Sequence, residues 1–228
     1  MLRLLVVLVL FFIQGKERQS ERESMLRDQI EGRGITHRET IRAMRVVERH
    51  RLVPKDQVIN AYKDGPLPIG YGQTISQPYI VAYMTQAIKP EKGYKILEIG
   101  TGSGYQAAVL AEIVDQVYSV EIIKPLGERA KRDLELLGYK NIHIKIGDGY
   151  YGWEEFAPYD AIVVTAAAEF VPPPLLAQLK DGGKMIIPVG SSFITQQLVL
   201  VEKRGDRISS RNLLPVRFVP FTRSANDP

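Results

Sequence analysis

Five short apolar runs recur between residues 95 and 189, spaced by segments of helical period, and this alternation limits the chain to few architectures. The runs cover 95–99, 116–120, 142–146, 159–164 and 184–189, with helical spacing at 105–113, 125–137 and 173–179. Strand–helix–strand order of this kind predicts an α/β fold: a mostly parallel, doubly wound sheet with helices on both faces. The tail departs from the alternation. Residues 197–203, a Gly205-Asp206 turn signal and residues 213–219 predict an antiparallel pair at one edge of the sheet. A length of 228 residues with 45% hydrophobic residues suits one globular unit, and neither a repeat nor a second core interrupts residues 25–228.

Ahead of that unit, Met1-Leu2-Arg3 precedes ten apolar residues, Leu4 to Ile13. Ten residues make about 15 Å of helix, half of a ~30 Å hydrocarbon core, so no stable membrane span is expected. The run has the proportions of a signal-peptide core, although Phe12-Ile13-Gln14-Gly15 is a poor cleavage site. A cleaved signal or anchor, a wrong start or disordered extension, and a packed segment all remain open, and residues 1–24 are set outside the expected fold. A cytoplasmic location is expected, with export or anchoring through residues 1–14 as the alternative.

In the following segment Thr36 and Glu39 read as a capping box, Thr36 at the N-cap, with Ile41, Met44 and Val47 at helical spacing and Pro54 beyond. Residues 25–55 hold eight Lys/Arg against four Asp/Glu, which reads as a solvated helix face in preference to an RNA contact. Residues 60–76 are too rich in Gly and Pro for a long regular element. A helix then begins near Pro78, with Ile80, Val81, Met84 and Ile88 on one face.

Several chemistries are excluded or disfavoured. Without cysteine there are no disulfides, thiolate metal sites, iron–sulfur clusters or cysteine nucleophiles. His37, His50 and His143 lie too far apart for short metal-ligand spacings, so no metal is expected. A net charge of +4 is no nucleic-acid footprint. His143 and Trp153, Tyr150 and Tyr151 read as packing residues.

The positive signal lies at the carboxyl ends of the strands, where open α/β sheets bind ligands. The first strand runs into Glu98-Ile99-Gly100-Thr101-Gly102-Ser103-Gly104. Glycines at such a turn let the backbone approach a ligand closely. Glu121 ends the second strand, where a carboxylate can accept both ribose hydroxyls. Asp148 and Gly149 end the third, where an acid can reach an adenine amino group. The spacing G-x-G-x-G with an acid just upstream differs from the dinucleotide pattern, and a carboxylate near the turn suits a cationic ligand better than a pyrophosphate. S-adenosylmethionine, with a sulfonium and an ammonium and no phosphate, is the expected ligand. Thr74-Ile75-Ser76 before a helix start offers a hydroxyl and backbone N–H groups to an anion. The plain alternative for Ser76 is an N-cap worth about 1 kcal/mol.

The segment Pro68-Ile69-Gly70-Tyr71-Gly72-Gln73-Thr74-Ile75-Ser76-Gln77-Pro78 resembles the signature of the protein-L-isoaspartate (D-aspartate) O-methyltransferases. Leu97–Tyr105, Gly147-Asp148-Gly149, Tyr159–Ala167, Ile187–Gly190 and Val216–Pro220 resemble further blocks of that family in order, so the likeness covers roughly residues 25–222. The resemblance implies a Rossmann-like methyltransferase fold and methyl transfer from S-adenosylmethionine to the free α-carboxylate of isoaspartyl residues in damaged proteins. It implies Ser76 as the catalytic residue and Gln73, Thr74, Ile75 and Ser76 as the substrate segment. The cofactor residues it implies are Glu98, Gly100, Thr101, Gly102, Ser103, Gly104, Glu121, Asp148, Gly149 and Gln196. Residues 25–90 then form a helical, substrate-binding segment and 91–228 the cofactor-binding core of a monomer whose partners are isoaspartyl proteins. Two other readings stay open: a methyltransferase of the same fold with another acceptor, small molecule or RNA, and a non-catalytic S-adenosylmethionine-binding module. After the fourth strand, Thr165-Ala166-Ala167-Ala168 lacks the Asp/Asn-Pro-Pro-aromatic pattern of base N-methylation.

Overall fold

In the computed structural model, residues 18–191 and 194–223 are described. The apolar run Leu4–Ile13 lies outside them. Among the described residues a seven-stranded sheet has the order β5-β4-β3-β6-β7-β8-β9. Its strands are β3 (Lys95–Ile99), β4 (Gln116–Glu121), β5 (Ile142–Ile146), β6 (Tyr159–Val164), β7 (Leu179–Val189), β8 (Gln196–Arg204) and β9 (Arg207–Val216). Strands β5, β4, β3, β6 and β7 run parallel, β8 adds antiparallel to β7 and β9 antiparallel to β8, so the tail forms the expected antiparallel pair at one edge. Chain order reverses direction at β3, which lies between β4 and β6, and this is where such sheets open a crevice.

Alternate side chains go to opposite faces of the sheet. Ile96, Val117, Ala161, Val163, Ile186 and Leu198 face one core, with α3 (Pro78–Ile88), α4 (Tyr105–Ala111) and α5 (Lys124–Leu136). Leu97, Tyr118, Ile162, Val164, Met185 and Ile187 face the other, which α6 (Pro173–Ala177) covers through Leu175. The parallel strands β3, β4 and β6 are buried on both faces, so they read as largely apolar runs without alternation, broken by the buried Glu98, Ser119 and Glu121.

The structure departs from the sequence reading at several boundaries. β7 starts at Leu179, ahead of the expected residue 184, because the Gly182-Gly183 stretch is carried inside the strand with a register shift against β6. β9 starts at Arg207 where 213 was expected. As the edge strand it takes its backbone hydrogen bonds from β8 while Arg207, Ser209 and Arg211 face solvent, so no apolar pattern announces it. Residues 60–76 contain a short hairpin, β1 (Leu67–Gly70) and β2 (Gln73–Ile75). Gly70, Tyr71 and Gly72 all have positive φ at its turn.

The expected capping box is replaced by a remote cap. Helix α2 (Arg38–Val46) has His37 at its N-cap, and the N–H groups of Thr36 and His37 both donate to Gln86 Oε1, at 2.7 and 2.9 Å. Glu39 turns outward to Arg42 instead of closing the box. The basic segment is neutralised at the surface by ion pairs such as Arg33–Asp64, Arg45–Glu23 and Arg51–Glu48.

The folded unit also starts earlier than residue 25. Helix α1 (Gln19–Ser24) continues into a π-helical stretch, Met25–Ile30, whose Met25, Leu26 and Ile30 are in the core. Arg22 is buried with its Nη1 donating to the Tyr62 hydroxyl at 3.4 Å, and Arg18 Nη2 donates to the Ile59 carbonyl at 3.2 Å. A chain beginning at Met25 should therefore be less stable than one beginning at Arg18, by about 1.5–3 kcal/mol for a lost charge-assisted bond. That corresponds to a melting temperature lower by about 5–10 °C in a chain of this size, readable by calorimetry; equal melting temperatures would show that α1 contributes nothing.

Candidate active site

The carboxyl end of β3 turns through Gly100, Gly102 and Gly104 at φ of 93°, 54° and 82°. Only glycine adopts these left-handed values without strain. Space adds a second demand at two of them. A Cβ on Gly100 would lie 2.5 Å from Thr165 Oγ1, and one on Gly104 would lie 2.8 Å from Leu134 Cδ1. The turn thus sits against the end of β6 on one side and α5 on the other.

Three acids stand at the adjoining strand ends. Glu98 is fully buried and accepts from the Ser119 hydroxyl, and Ser119 in turn lies 2.6 Å from Thr101 Oγ1. Its other oxygen, Oε1, has no hydrogen-bond partner, and neither has the buried Oε1 of Gln106. Burial pushes the Glu98 carboxyl up to about 8, the Ser119 bond opposing the shift and the Glu121 charge adding to it. Glu121 accepts from Gly102 N–H through Oε2 and from Ile123 N–H through Oε1, both at 2.8 Å. This leaves acceptor capacity on each oxygen. Asp148 accepts from Tyr150 N–H and pairs with Arg223 Nε at 2.8 Å.

The hairpin β1–β2 lies across this edge. Ile69 is buried beside Gly102, and Arg129 Nη2 donates to the Ile69 carbonyl at 2.9 Å. The hairpin delivers Thr74, Ile75 and Ser76 to the crevice. Helix α3 starts at Pro78 with Gln77 at its N-cap and no side-chain capping bond, so Ser76 does not cap it. The C-terminal segment crosses from the other side. Its Phe218 N–H donates to Gln196 Oε1 at 2.9 Å, and Val219 and Phe221 bond to Ala167 through their backbones.

These parts enclose one continuous crevice with three bays, and Thr74 and Thr165 border all three. The bay between β3, β4 and the C-terminal segment is walled by Gly100, Glu121, Ile122, Gly149 and Phe221. A central bay is lined by Ser76, Glu98, Thr101, Ser103 and Gln106. The outer bay, about 280 Å³, is lined by Thr74, Ser76, Gln77, Ile80 and Arg217.

Most of the expected residues converge here: Gln73, Thr74, Ile75 and Ser76, Glu98, Gly100, Thr101, Gly102, Ser103, Glu121 and Gly149 all border the crevice. Gly104 shapes it from behind. Gln196 does not reach it. The Gln196 amide donates to the carbonyls of Ser191 and Ile194 and accepts from Phe218, so the side chain is used up in holding the C-terminal segment to β8. The Asp148 carboxylate likewise serves the Arg223 clasp, and only its neighbour Gly149 borders the crevice. Thr165, Phe221, Gln106 and Arg217 were not anticipated. Thr165 follows directly on the fourth strand, a position that strand order alone places at the ligand edge.

With the geometry established, comparison with known proteins is informative. A family profile described as protein-L-isoaspartate(D-aspartate) O-methyltransferase matches residues 20–226. The chain is 58% identical over 208 residues to a protein-L-isoaspartate O-methyltransferase of Opitutus terrae, covering 91% of this chain and 89% of that one. It is 56% identical over 212 residues to a protein-L-isoaspartate O-methyltransferase 1 of Nitrosospira multiformis, covering 92% and 90%. A solved protein-L-isoaspartate O-methyltransferase superposes with a TM-score of 0.81 at 32% identity, over 87% of this chain and 65% of that longer chain. A Plasmodium falciparum beta-aspartate methyltransferase in complex with S-adenosyl-L-homocysteine superposes with a TM-score of 0.76 at 26% identity, over 89% and 99%.

The buried Glu98 carboxyl makes a prediction about stability. Its ordinary value is 4.5 and its folded value about 8, so the folded chain holds an extra proton between the two. The stability carried by protonated Glu98 is complete below the lower value and is lost as pH rises through the upper one. Urea unfolding of the ligand-free protein should lose a few kcal/mol between about pH 5 and about pH 8.5, and Glu98→Gln should remove most of that slope. An unchanged slope in the variant would assign the pH dependence elsewhere.

Proposed function

The chain belongs to the protein-L-isoaspartate(D-aspartate) O-methyltransferase family, and from that premise we propose how its own residues carry the reaction. The reaction moves a methyl group from S-adenosylmethionine to the free α-carboxylate of L-isoaspartyl residues in damaged proteins. The neighbouring amide nitrogen then attacks the ester carbonyl, methanol leaves, and hydrolysis of the succinimide returns part of the material to aspartate.

The observation that carries the residue assignment is the polarity of the crevice. Its inner bays hold acids and two orphaned buried oxygens, Glu98 Oε1 and Gln106 Oε1, while its outer bay is lined by the cationic Arg217 and shares Ser76 with the central one. Two acceptors without donors suit an ammonium, and the glycine turn at Gly100 leaves room that a Cβ would fill. The residues therefore fit S-adenosylmethionine. When bound it supplies an electrophilic methyl group on a cationic sulfur. Glu98 and Gln106 would receive its ammonium end, Glu121 would accept from its ribose hydroxyls, and Ile122, Gly149 and Phe221 would wall its base. Glu98 gives up its proton when a cation is brought to it.

In the outer bay Ser76 donates its hydroxyl to the substrate carboxylate and Arg217, which has no ion pair among the described residues, supplies the opposite charge. The nucleophile needs no base, because an α-carboxyl with a pKa of about 3.3–3.7 is already ionised at pH 7. What remains for the chain is alignment and exclusion of water, which Thr74, Thr165 and the C-terminal segment provide where the bays meet. A normal aspartyl residue sets its carboxylate one methylene further from the chain, leaving the donors at Ser76 unmatched, which is a strong basis for discrimination. Among the described residues no helix is long and apolar enough to cross a membrane. We place the enzyme in the cytoplasm as a monomer, where S-adenosylmethionine is made.

Two measurements test the assignment. Glu121→Ala should weaken S-adenosylmethionine binding by about 1.5–3 kcal/mol in calorimetry while the protein stays folded; unchanged affinity would remove Glu121 from the ribose site. Ser76→Ala should lower kcat/KM for an isoaspartyl peptide by about 10- to 100-fold with cofactor affinity retained. Methyl incorporation into the aspartyl twin of that peptide should stay near background. Full activity in Ser76→Ala, or equal methylation of the twin by the unaltered enzyme, would overturn the substrate assignment.

A further inference from the structure

Arg49 is completely buried in a short 3-10 turn, Arg49–Arg51, between α2 and the hairpin. Among the described residues no carboxylate pairs with it. Its Nε donates to the Ala61 carbonyl and its Nη2 to the Ser76 carbonyl, both at 2.8 Å. The guanidinium carbon lies 4.7 Å from the centre of the Tyr105 ring, and Nη1 has no hydrogen-bond partner. Burial lowers the group to about 10, so it keeps its charge at neutral pH. Burying a cation without an anion costs several kcal/mol, and an apolar residue of similar size would fill the same space more cheaply. A core role alone does not account for an arginine here.

Both ends of the contact touch the active site. Ser76 borders the outer and central bays, and Tyr105 opens α4 directly after the glycine turn and borders the central bay. A trans peptide is planar, with its C=O and N–H pointing opposite ways. Drawing the Ser76 carbonyl inward to Arg49 therefore turns the N–H of Gln77 outward, to the side that lines the 280 Å³ bay. Pro78 next in line holds Gln77 extended, at φ −50° and ψ 137°, so the peptide is restrained from both ends. We propose that Arg49 is a positioning residue for the substrate carboxylate. It locks the Ser76–Gln77 peptide so that the Ser76 hydroxyl and the Gln77 N–H converge on one anion, and its unneutralised charge behind that peptide favours an anion over a neutral group. Its seat on Tyr105 sets the distance between this peptide and the cofactor turn. The proposal rests on the assignment of the outer bay to the substrate carboxylate.

The test compares Arg49→Met and Arg49→Lys with the unaltered enzyme, using an isoaspartyl peptide and its analogue with an α-carboxamide in place of the α-carboxylate. Arg49→Met should raise KM for the isoaspartyl peptide at least about tenfold. It should lower the preference for carboxylate over carboxamide, read as competitive inhibition, by a similar factor, with S-adenosylmethionine affinity within threefold by calorimetry (~0.7 kcal/mol). Arg49→Lys, which keeps the charge but cannot donate to Ala61 and Ser76 together, should recover part of the preference. An unchanged preference in Arg49→Met overturns the proposal. Loss of cofactor binding in both variants overturns it as well, because it marks Arg49 as a structural residue. Ser76→Ala measured alongside separates the two readings: if it leaves KM and the preference intact while Arg49→Met raises KM and lowers the preference, the Ser76 hydroxyl is not a donor to the carboxylate and Arg49 acts through the Gln77 N–H alone.

Discussion

The absence of a side chain at Gly100 is the constraint on which the rest depends. That residue directly follows β3, the strand at which the chain order of the sheet reverses, and it carries a φ of 93°. A Cβ there would come within 2.5 Å of Thr165 Oγ1, whose hydroxyl is also 2.6 Å from the Gly100 carbonyl. The ends of β3 and β6 are thereby drawn together at the floor of the crevice. Every other element of the site is placed relative to that closed floor. Glu98 lies behind it, Glu121 and Gly149 lie on one side, and the hairpin lies above it.

Three distant stretches of chain meet on this floor, and buried polar contacts more than apolar packing decide how. Arg129 holds the carbonyl of Ile69 and Arg49 holds the carbonyl of Ser76, one arginine at each strand of the hairpin. Gln196 holds the backbone of Phe218, and the Asp148–Arg223 pair, with Arg223 3.8 Å over the Tyr150 ring, fastens the end of the same segment. The bonds made by Arg129, Arg49 and Gln196 join side chain to backbone, which fixes direction as well as distance. A hydrophobic contact would hold the segments together without fixing which way a peptide N–H points.

Charge follows the same division. Acids collect at the strand ends that border the inner bays, where burial raises Glu98 to about 8, so that a cation placed beside it would favour its ionised form. Cations stand at the outer bay, Arg217 lining it and Arg49 behind it. In the proposed assignment a cationic donor and an anionic acceptor would each be drawn to one end of this crevice and meet where Thr74 and Thr165 border all three bays.

The parallel sheet, the glycine turn and the acids at the strand ends were all legible in the sequence, because each depends on a local rule. Apolar period sets strand or helix, positive φ demands glycine, and strand order places the ligand edge. The early start of the fold at α1, the full length of β9 and the remote cap on α2 were not legible, because hydrogen bonds from elsewhere in the chain supply what the local residues do not announce. The same holds within the site. Gln196 reads as a cofactor ligand in sequence, yet its amide is taken up by Ser191, Ile194 and Phe218. Arg49 reads as one more charge on a basic face, yet it is the only arginine of residues 25–55 buried completely. The sequence by itself determined which chemical groups the protein owns and which backbone shapes it can take. Only the tertiary structure decided which donor meets which acceptor, since a side-chain hydrogen bond is spent once and its partner is chosen by proximity in space.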